Sequence, residues 1–241
     1  MIDLFECVYG YSKKNFWGPL SFKIHENGIY LLLGPNGIGK TTFLDLLNKD
    51  IALKKGTLVS DSLFFLKNAI REDYLYPSEY IDLFSKIFSI KITHDNFEKK
   101  IIKDLSQGQK AYLQLQVIQY LEEASILLDE PSLGLDKVFF DKFKESLLEL
   151  SKKKIIIIAT HEYIQLEDIA TDFLFFSREN MYHIKKYKHY FTSTIKNINE
   201  QFSCSLIFND YYGSNIDVEG KEGVENLTNN FDFKKAFNEY Y

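Results

Sequence analysis

Cysteine, proline and tryptophan are scarce in this 241-residue chain, with two, four and one respectively. Cys7 and Cys204 lie far apart and in no metal-ligand spacing, which excludes a cysteine-built metal site and points to a reduced, cytosolic setting. No stretch approaches the ~18 apolar residues that cross a bilayer. The start, Met1-Ile2-Asp3-Leu4-Phe5-Glu6, has neither the basic region nor the apolar core of a signal peptide. The chain therefore reads as soluble by itself, with any membrane role supplied by a partner. An excess of positive charge is missing too: the formal net charge is −5, which argues against a generic nucleic-acid coat but leaves room for a local basic patch. There is no internal repeat and no long heptad run.

What remains is ordinary globular composition, 45% hydrophobic and 26% charged, long enough for one cored domain with lobes. The prolines (Pro19, Pro35, Pro77, Pro131) punctuate periodic segments as turns. Residues 2–9 and 20–24 read as short strands with an aromatic-rich loop between them. Ile29–Leu33, Leu63–Leu66, Ser125–Asp129 and Lys154–Thr160 read as buried strands, the run Ile155-Ile156-Ile157-Ile158 most clearly. Helical patterns cover Thr41–Asn48, Gln109–Glu122 and Asp136–Lys152. This alternation predicts an α/β fold with a largely parallel sheet and flanking helices. Between Pro77 and Asp104 lies a separate helical piece, whose stripe of Tyr80, Leu83, Phe84, Ile87 and Phe88 is expected to pack in a core. From about Thr192 the composition shifts to an appendage rich in Asn, Tyr, Phe and acidic residues.

The run Gly34-Pro35-Asn36-Gly37-Ile38-Gly39-Lys40-Thr41-Thr42 follows the strand Ile29–Leu33 and precedes the pattern Phe43-Leu44-Asp45-Leu46-Leu47. A strand, a glycine-rich loop and a helix make the setting of a phosphate-binding loop. Its glycines let the backbone wrap closely, so that successive N–H groups form an anion nest at a helix start. Lys40 is placed to reach β- and γ-phosphates, and the Thr41 hydroxyl to ligate Mg²⁺.

Further on, Ile126-Leu127-Leu128-Asp129-Glu130-Pro131 puts two acids at the carboxyl end of a buried strand, where ligands bind in parallel sheets. Asp129 suits a Mg²⁺ ligand, through water, and Glu130 a general base or polariser of an attacking water. A solvated pair of strand-end acids would look the same. Leu105-Ser106-Gln107-Gly108-Gln109 precedes a helix; Ser106 fits an N-cap and Gly108 keeps backbone accessible, as in an ordinary cap turn or a phosphate-contacting helix start.

Phosphate loop, LSxGQ and LLDEP, in this order and spacing, resemble the ATP-binding cassette family. Ser132-Leu133-Gly134-Leu135-Asp136 is similar to that family's D-loop, and Ala159-Thr160-His161 to its switch histidine. The resemblance covers roughly residues 3–184. It implies a P-loop NTPase core with a mostly parallel sheet, a small antiparallel β lobe and a short helical lobe at about residues 69–122. The cassette domain would span 1–191 and the appendage 192–241. Two cassettes would pair head to tail around two ATP molecules, the second most simply an identical chain. Ser106, Gly108 and Gln109 would then contact ATP held by the partner's phosphate loop, and His161 would contact the γ-phosphate.

Tyr11 matches the aromatic that stacks on adenine, with Tyr9 and Phe16 as rivals. Asn68 stands where the family has a glutamine that reaches Mg²⁺, one methylene shorter, and the short interval from Asn68 to Leu105 implies a small helical lobe. The resemblance leads to an ATPase subunit on the inner face of the membrane, powering a separate permease docked in the cleft beside the glutamine loop. Tyr74, Tyr76, Tyr80 and Phe84 lie near that cleft by sequence; core packing is the simpler account of them, and docking of the permease the alternative. Small exporters of peptides or antimicrobial compounds are the resemblance's substrate class, also carried by Asp232-Phe233-Lys234-Lys235-Ala236-Phe237. The alternative is a soluble cassette ATPase acting on nucleic acid or ribosomes, for which the cluster Lys185-Lys186-Tyr187-Lys188-His189 is the one supporting feature; an anionic lipid surface would suit it equally, and a solvated hairpin end accounts for it most simply. A regulatory subunit that binds ATP as a signal is a third reading, against which Glu130 and His161 stand.

Overall fold

The computed structural model describes residues 1–11, 16–66, 74–87, 89, 91–92, 100–120, 125–132, 136–161, 163–176, 181–185, 190–193, 204–207, 210–213 and 224–228. In chain order these form β1 (Ile2–Tyr9), β2 (Trp17–Ile24), β3 (Gly28–Leu33), α1 (Lys40–Leu47), β4 (Leu53–Ser60) and β5 (Leu63–Leu66). There follow α2 (Pro77–Ile87), α3 (Gln107–Ile118), β6 (Ser125–Asp129), α4 (Lys137–Ser151), β7 (Ile155–Ala159), β8 (Asp172–Phe176) and β9 (Met181–Lys185). The last strands are β10 (Tyr190–Ser193), β11 (Cys204–Ile207), β12 (Asp210–Gly213) and β13 (Val224–Thr228).

Six strands make the central sheet in the order β5-β6-β7-β3-β8-β9, parallel except for the edge strand β9. Its inner strands are apolar without interruption because both faces are covered. Successive residues alternate between two cores. Ile29, Leu31, Leu33, Ile126, Leu128, Ile156, Ile158, Phe173 and Phe175 join α4 residues such as Phe143 and Leu147 on one face. Tyr30, Leu32, Leu127, Ile157, Leu174 and Phe176 join α1 and the antiparallel strands on the other. The predicted α/β P-loop architecture is the observed one.

Strands β2, β1 and β4 form the small antiparallel sheet. The ring of His183 on β9 meets Phe22 of β2 and Tyr30 of β3 edge-on, while its Nε2 lies 2.7 Å from Asp172 Oδ2, stitching this lobe to the main sheet. In the helical lobe, α3 has two working faces. Leu115 and Ile118 face the main core, and Leu113 and Val117 pack with Tyr80 and Ile81 of α2. Strands β10 to β13 make a third sheet in the order β11-β12-β10-β13.

Several expectations need correction. Pro19 lies inside β2, not in a turn; β2 is the edge of its sheet, where a missing N–H disturbs no ladder. Pro77 is the first residue of α2, a position whose N–H has no intrahelical partner anyway. Strand β4 went unpredicted because its solvated face and the run Lys54-Lys55-Gly56 hide the apolar pattern. The α2 stripe is only half a core face: Tyr80 is buried, but Leu83 and Ile87 are exposed, and Ile81 takes their place. Phe88, Gly134, the 186–189 cluster and the 232–237 run lie outside the described residues.

The face of α4 that covers the sheet rests on Phe143, which is fully buried. Phe143→Ala is expected to lower unfolding free energy by about 3–5 kcal/mol in urea titration. A loss below about 1 kcal/mol would mean that α4 does not pack on the sheet as described.

Candidate functional site

The carboxyl ends of β6, β7 and β3 are adjacent, and everything assembled at the site hangs from them. Leu33 ends β3 and Gly34 opens the loop; Ile38 N–H donates to Pro35 O at 3.3 Å, and α1 begins at Lys40. Gly39 caps α1 with φ of 113°, in the left-handed region. A Cβ built there would lie 2.5 Å from Trp17 Nε1, so glycine is required both by the backbone and by the neighbour. Gly37, with φ of 76°, faces open space at the tip.

Lys40 is buried, and its ammonium donates to Gly34 O at 2.8 Å and Pro35 O at 3.2 Å, bracing the loop across its base. Burial pushes its pKa below the ordinary lysine value, while the nearby Glu130 and Asp129 charges oppose that shift. Thr41 Oγ1 donates to Asp129 Oδ2 at 2.7 Å, joining the start of α1 to the end of β6. Burial raises the Asp129 pKa, the Thr41 hydrogen bond opposes this, and Glu130 adds to it.

Glu130 directly follows β6 with φ of 47°, an uncommon conformation for a residue with a Cβ. Its N–H donates to Ala159 O at 2.8 Å, which ties it to β7. Its Oε1 lies 2.9 Å from His161 Nδ1. A carboxylate can only accept, so Nδ1 is the donor in this pair and Nε2 remains for another contact. A cleft between these elements is lined by Asn36, Gly37, Gly39, Lys40, Thr41, Thr42, Asp129, Glu130 and Trp17.

Most of the expected site residues therefore meet at one place. Ser106, Gly108 and Gln109 do not line that cleft. Ser106 caps α3 in a reciprocal box: Gln109 N–H donates to Ser106 Oγ at 3.1 Å, and Ser106 N–H donates to Gln109 Oε1 at 3.0 Å. Helix α3 starts two residues earlier than expected because this box closes on Gln109. Tyr11 is exposed, and its hydroxyl donates to Asp45 on α1; it does not line the cleft. Its rival Tyr9 is fully buried and therefore unavailable to a ligand, and Phe16 lies exposed with Lys54 over its ring. Asn68 lies outside the described residues. The cleft residue that sequence reasoning missed is Trp17, placed in a loop there but at the start of β2 here; the signal was its being the only tryptophan in the chain.

Among the described residues, no group of three or more His, Cys, Asp or Glu side chains could hold a metal ion. Thr41 and Asp129 instead offer two oxygens beside a phosphate-shaped loop. That is the partial donor set expected for Mg²⁺, which completes its shell with water and substrate phosphates.

The family model described as "ABC transporter" matches residues 18–73. The phosphate import ATP-binding protein PstB of Malacoplasma penetrans is 26% identical over 211 residues, covering 70% of this chain and 72% of that protein. The lantibiotic transport ATP-binding protein SrtF of Streptococcus pyogenes is 24% identical over 230 residues, covering 86% of this chain and 98% of that protein. A solved dimeric ATP-binding cassette in a post-hydrolysis state with ADP and Pi shares the fold at a TM-score of 0.61 and 16% identity, covering 77% of this chain and 98% of that one.

The two loop glycines separate backbone cost from contact cost. Gly37→Ala should weaken nucleotide binding by about the price of one left-handed residue, ~1 kcal/mol or roughly fivefold. Gly39→Ala adds a clash with the Trp17 ring and should weaken it by more than about a hundredfold. Calorimetric titration with ATP checks both; equal effects would mean that Trp17 does not crowd Gly39.

Proposed function

We propose that the chain is an ATP-hydrolysing nucleotide-binding subunit of the ATP-binding cassette family, a reading its similarity to such proteins supports, and that it pairs with a second cassette around ATP and drives a separate membrane permease. The observation that carries this reading is the junction of the phosphate loop with β6. Thr41 and Asp129 are hydrogen-bonded, and the adjacent Glu130, which lines the same cleft, is paired with His161. Bound Mg²⁺ would neutralise phosphate charge there, held by Thr41 and Asp129. Lys40 supplies the remaining positive charge at the β- and γ-phosphates. Glu130 accepts a proton from, or orients, the attacking water, and His161 fixes the direction of that carboxylate through Nδ1.

Ser106, Gly108 and Gln109 open α3 outside this cleft, which supports their contacting ATP held by a second chain. A rigidly capped helix start brings N–H groups and a positive dipole end to the far side of the γ-phosphate. For the permease contact, the exposed large apolar residues described in the helical lobe are Tyr74, Tyr76, Leu83 and Ile87. Tyr80 is instead in the core of that lobe, the packing expected of it.

Export of a peptide or antimicrobial compound is the substrate reading we favour, supported by the near end-to-end match to a lantibiotic transport protein. No helix among the described residues is long and apolar enough to cross a membrane.

Glu130→Gln should leave ATP affinity within about twofold while slowing turnover by at least ~100-fold, as expected for loss of a general base. Near-normal phosphate release by that variant would remove Glu130 from the mechanism. The same variant, tagged and purified with ATP from detergent-solubilised native membranes, should retain a stoichiometric multi-span membrane protein. Recovery of ribosomal or DNA-bound proteins instead would replace the permease reading with that of a soluble cassette ATPase.

A further inference from the structure

Among the described residues, Trp17 is the only aromatic lining the cleft, and it lies outside the phosphate-loop motif. It stands opposite Tyr9 in the β1–β2 register, and the two rings stack with centroids 6.1 Å apart and planes 19° apart. Tyr9 is fully buried and leans on Phe43 of α1, so the indole is braced from the core side. On its other side the indole N–H donates to Ile38 O. The ring also occupies the volume beside Gly39, where an added Cβ would lie 2.5 Å from Nε1 and 2.9 Å from Cζ2.

A trans peptide points its C=O and the following N–H in opposite directions. Holding the Ile38 carbonyl toward the indole therefore turns the Gly39 N–H away from it. That N–H is the last backbone donor before α1, whose first N–H groups have no partner within the helix. A free Ile38–Gly39 peptide flanked by glycine on one side could rotate and present a carbonyl to an anion instead.

We propose that Trp17 is a positioning residue for the phosphate cradle: its indole N–H locks the Ile38–Gly39 peptide with the amide turned to the anion, and so sets affinity for the polyphosphate rather than for the base. The inference rests on the nucleotide-site reading above. It deepens that reading by assigning part of the loop's shape to a residue of the antiparallel lobe, outside the loop motif. It also makes the chain's single tryptophan a reporter of the loop, since all indole emission comes from position 17.

The test uses the full chain and two ligands, Mg-ATP and Mg-tripolyphosphate, titrated calorimetrically into wild-type protein and Trp17→Phe. Phenylalanine keeps a ring for Tyr9 to stack on and removes only the donor. Both ligands should bind about tenfold more weakly, the net worth of one strong hydrogen bond. KM for ATP should rise by the same factor with kcat held, the mark of lost uniform binding. Both ligands should also change the emission of the wild-type indole, a readout that stands even if the variant does not fold. Unchanged affinity, an unchanged KM with reduced kcat, or silent emission on binding would overturn the inference. So would weaker ATP binding with tripolyphosphate unaffected, which would place the indole against the base. Failure of wild-type protein to bind either ligand would overturn the nucleotide-site reading itself, and the inference with it.

Discussion

Strand β3 is clamped between β7 and β8 with both faces buried, and the chemistry depends on that clamp. A parallel sheet delivers all its strand ends on one side, and the alternation of residues between two cores allows only one register. A slip of one residue in β3 would turn Ile29, Leu31 and Leu33 into the wrong core and carry Gly34 with them. A slip in β6 would separate Asp129 from Thr41. The large apolar runs of the sheet are thus the reason that small polar groups meet within hydrogen-bonding distance.

Burial of charge at the site follows from the same architecture. Lys40 and Asp129 sit where solvent is scarce, so both are biased toward their neutral forms. Each is kept useful by its neighbours. The loop carbonyls of Gly34 and Pro35 surround the ammonium, and the Thr41 hydroxyl holds the carboxylate. A polyphosphate with a divalent ion supplies opposite charge to both groups, so binding relieves a cost that folding imposed. The left-handed Glu130 is a smaller instance, with an uncommon backbone held by its bond to Ala159.

Legibility in the sequence tracked how local each feature is. The inner strands were readable because an uninterrupted apolar run has few other uses. The phosphate loop was readable because glycine spacing, Lys40 and Thr41 lie within one stretch of chain. Strand β4 was not, since its partner β1 is distant in sequence and most of its residues face water. The split of the α2 stripe into buried Tyr80 and exposed Leu83 and Ile87 depends on where α3 lies, which no periodicity records. Trp17 was missed for the same reason: what gives it meaning is Gly39, far along the chain and in another lobe.

The sequence by itself determined the class of protein, the composition of the loop and the identity of the acids and histidine around it. Those are matters of residue type and short spacing, and local chemistry decides them. Only the tertiary structure decided that Glu130 pairs with His161, that Ser106 and Gly108 stand outside the cleft, that Tyr9 is core, and that Trp17 braces the phosphate loop. Each of these is a contact between elements brought together by packing two cores against one sheet. Their distances are set by volume and register, quantities that no single segment of the chain contains.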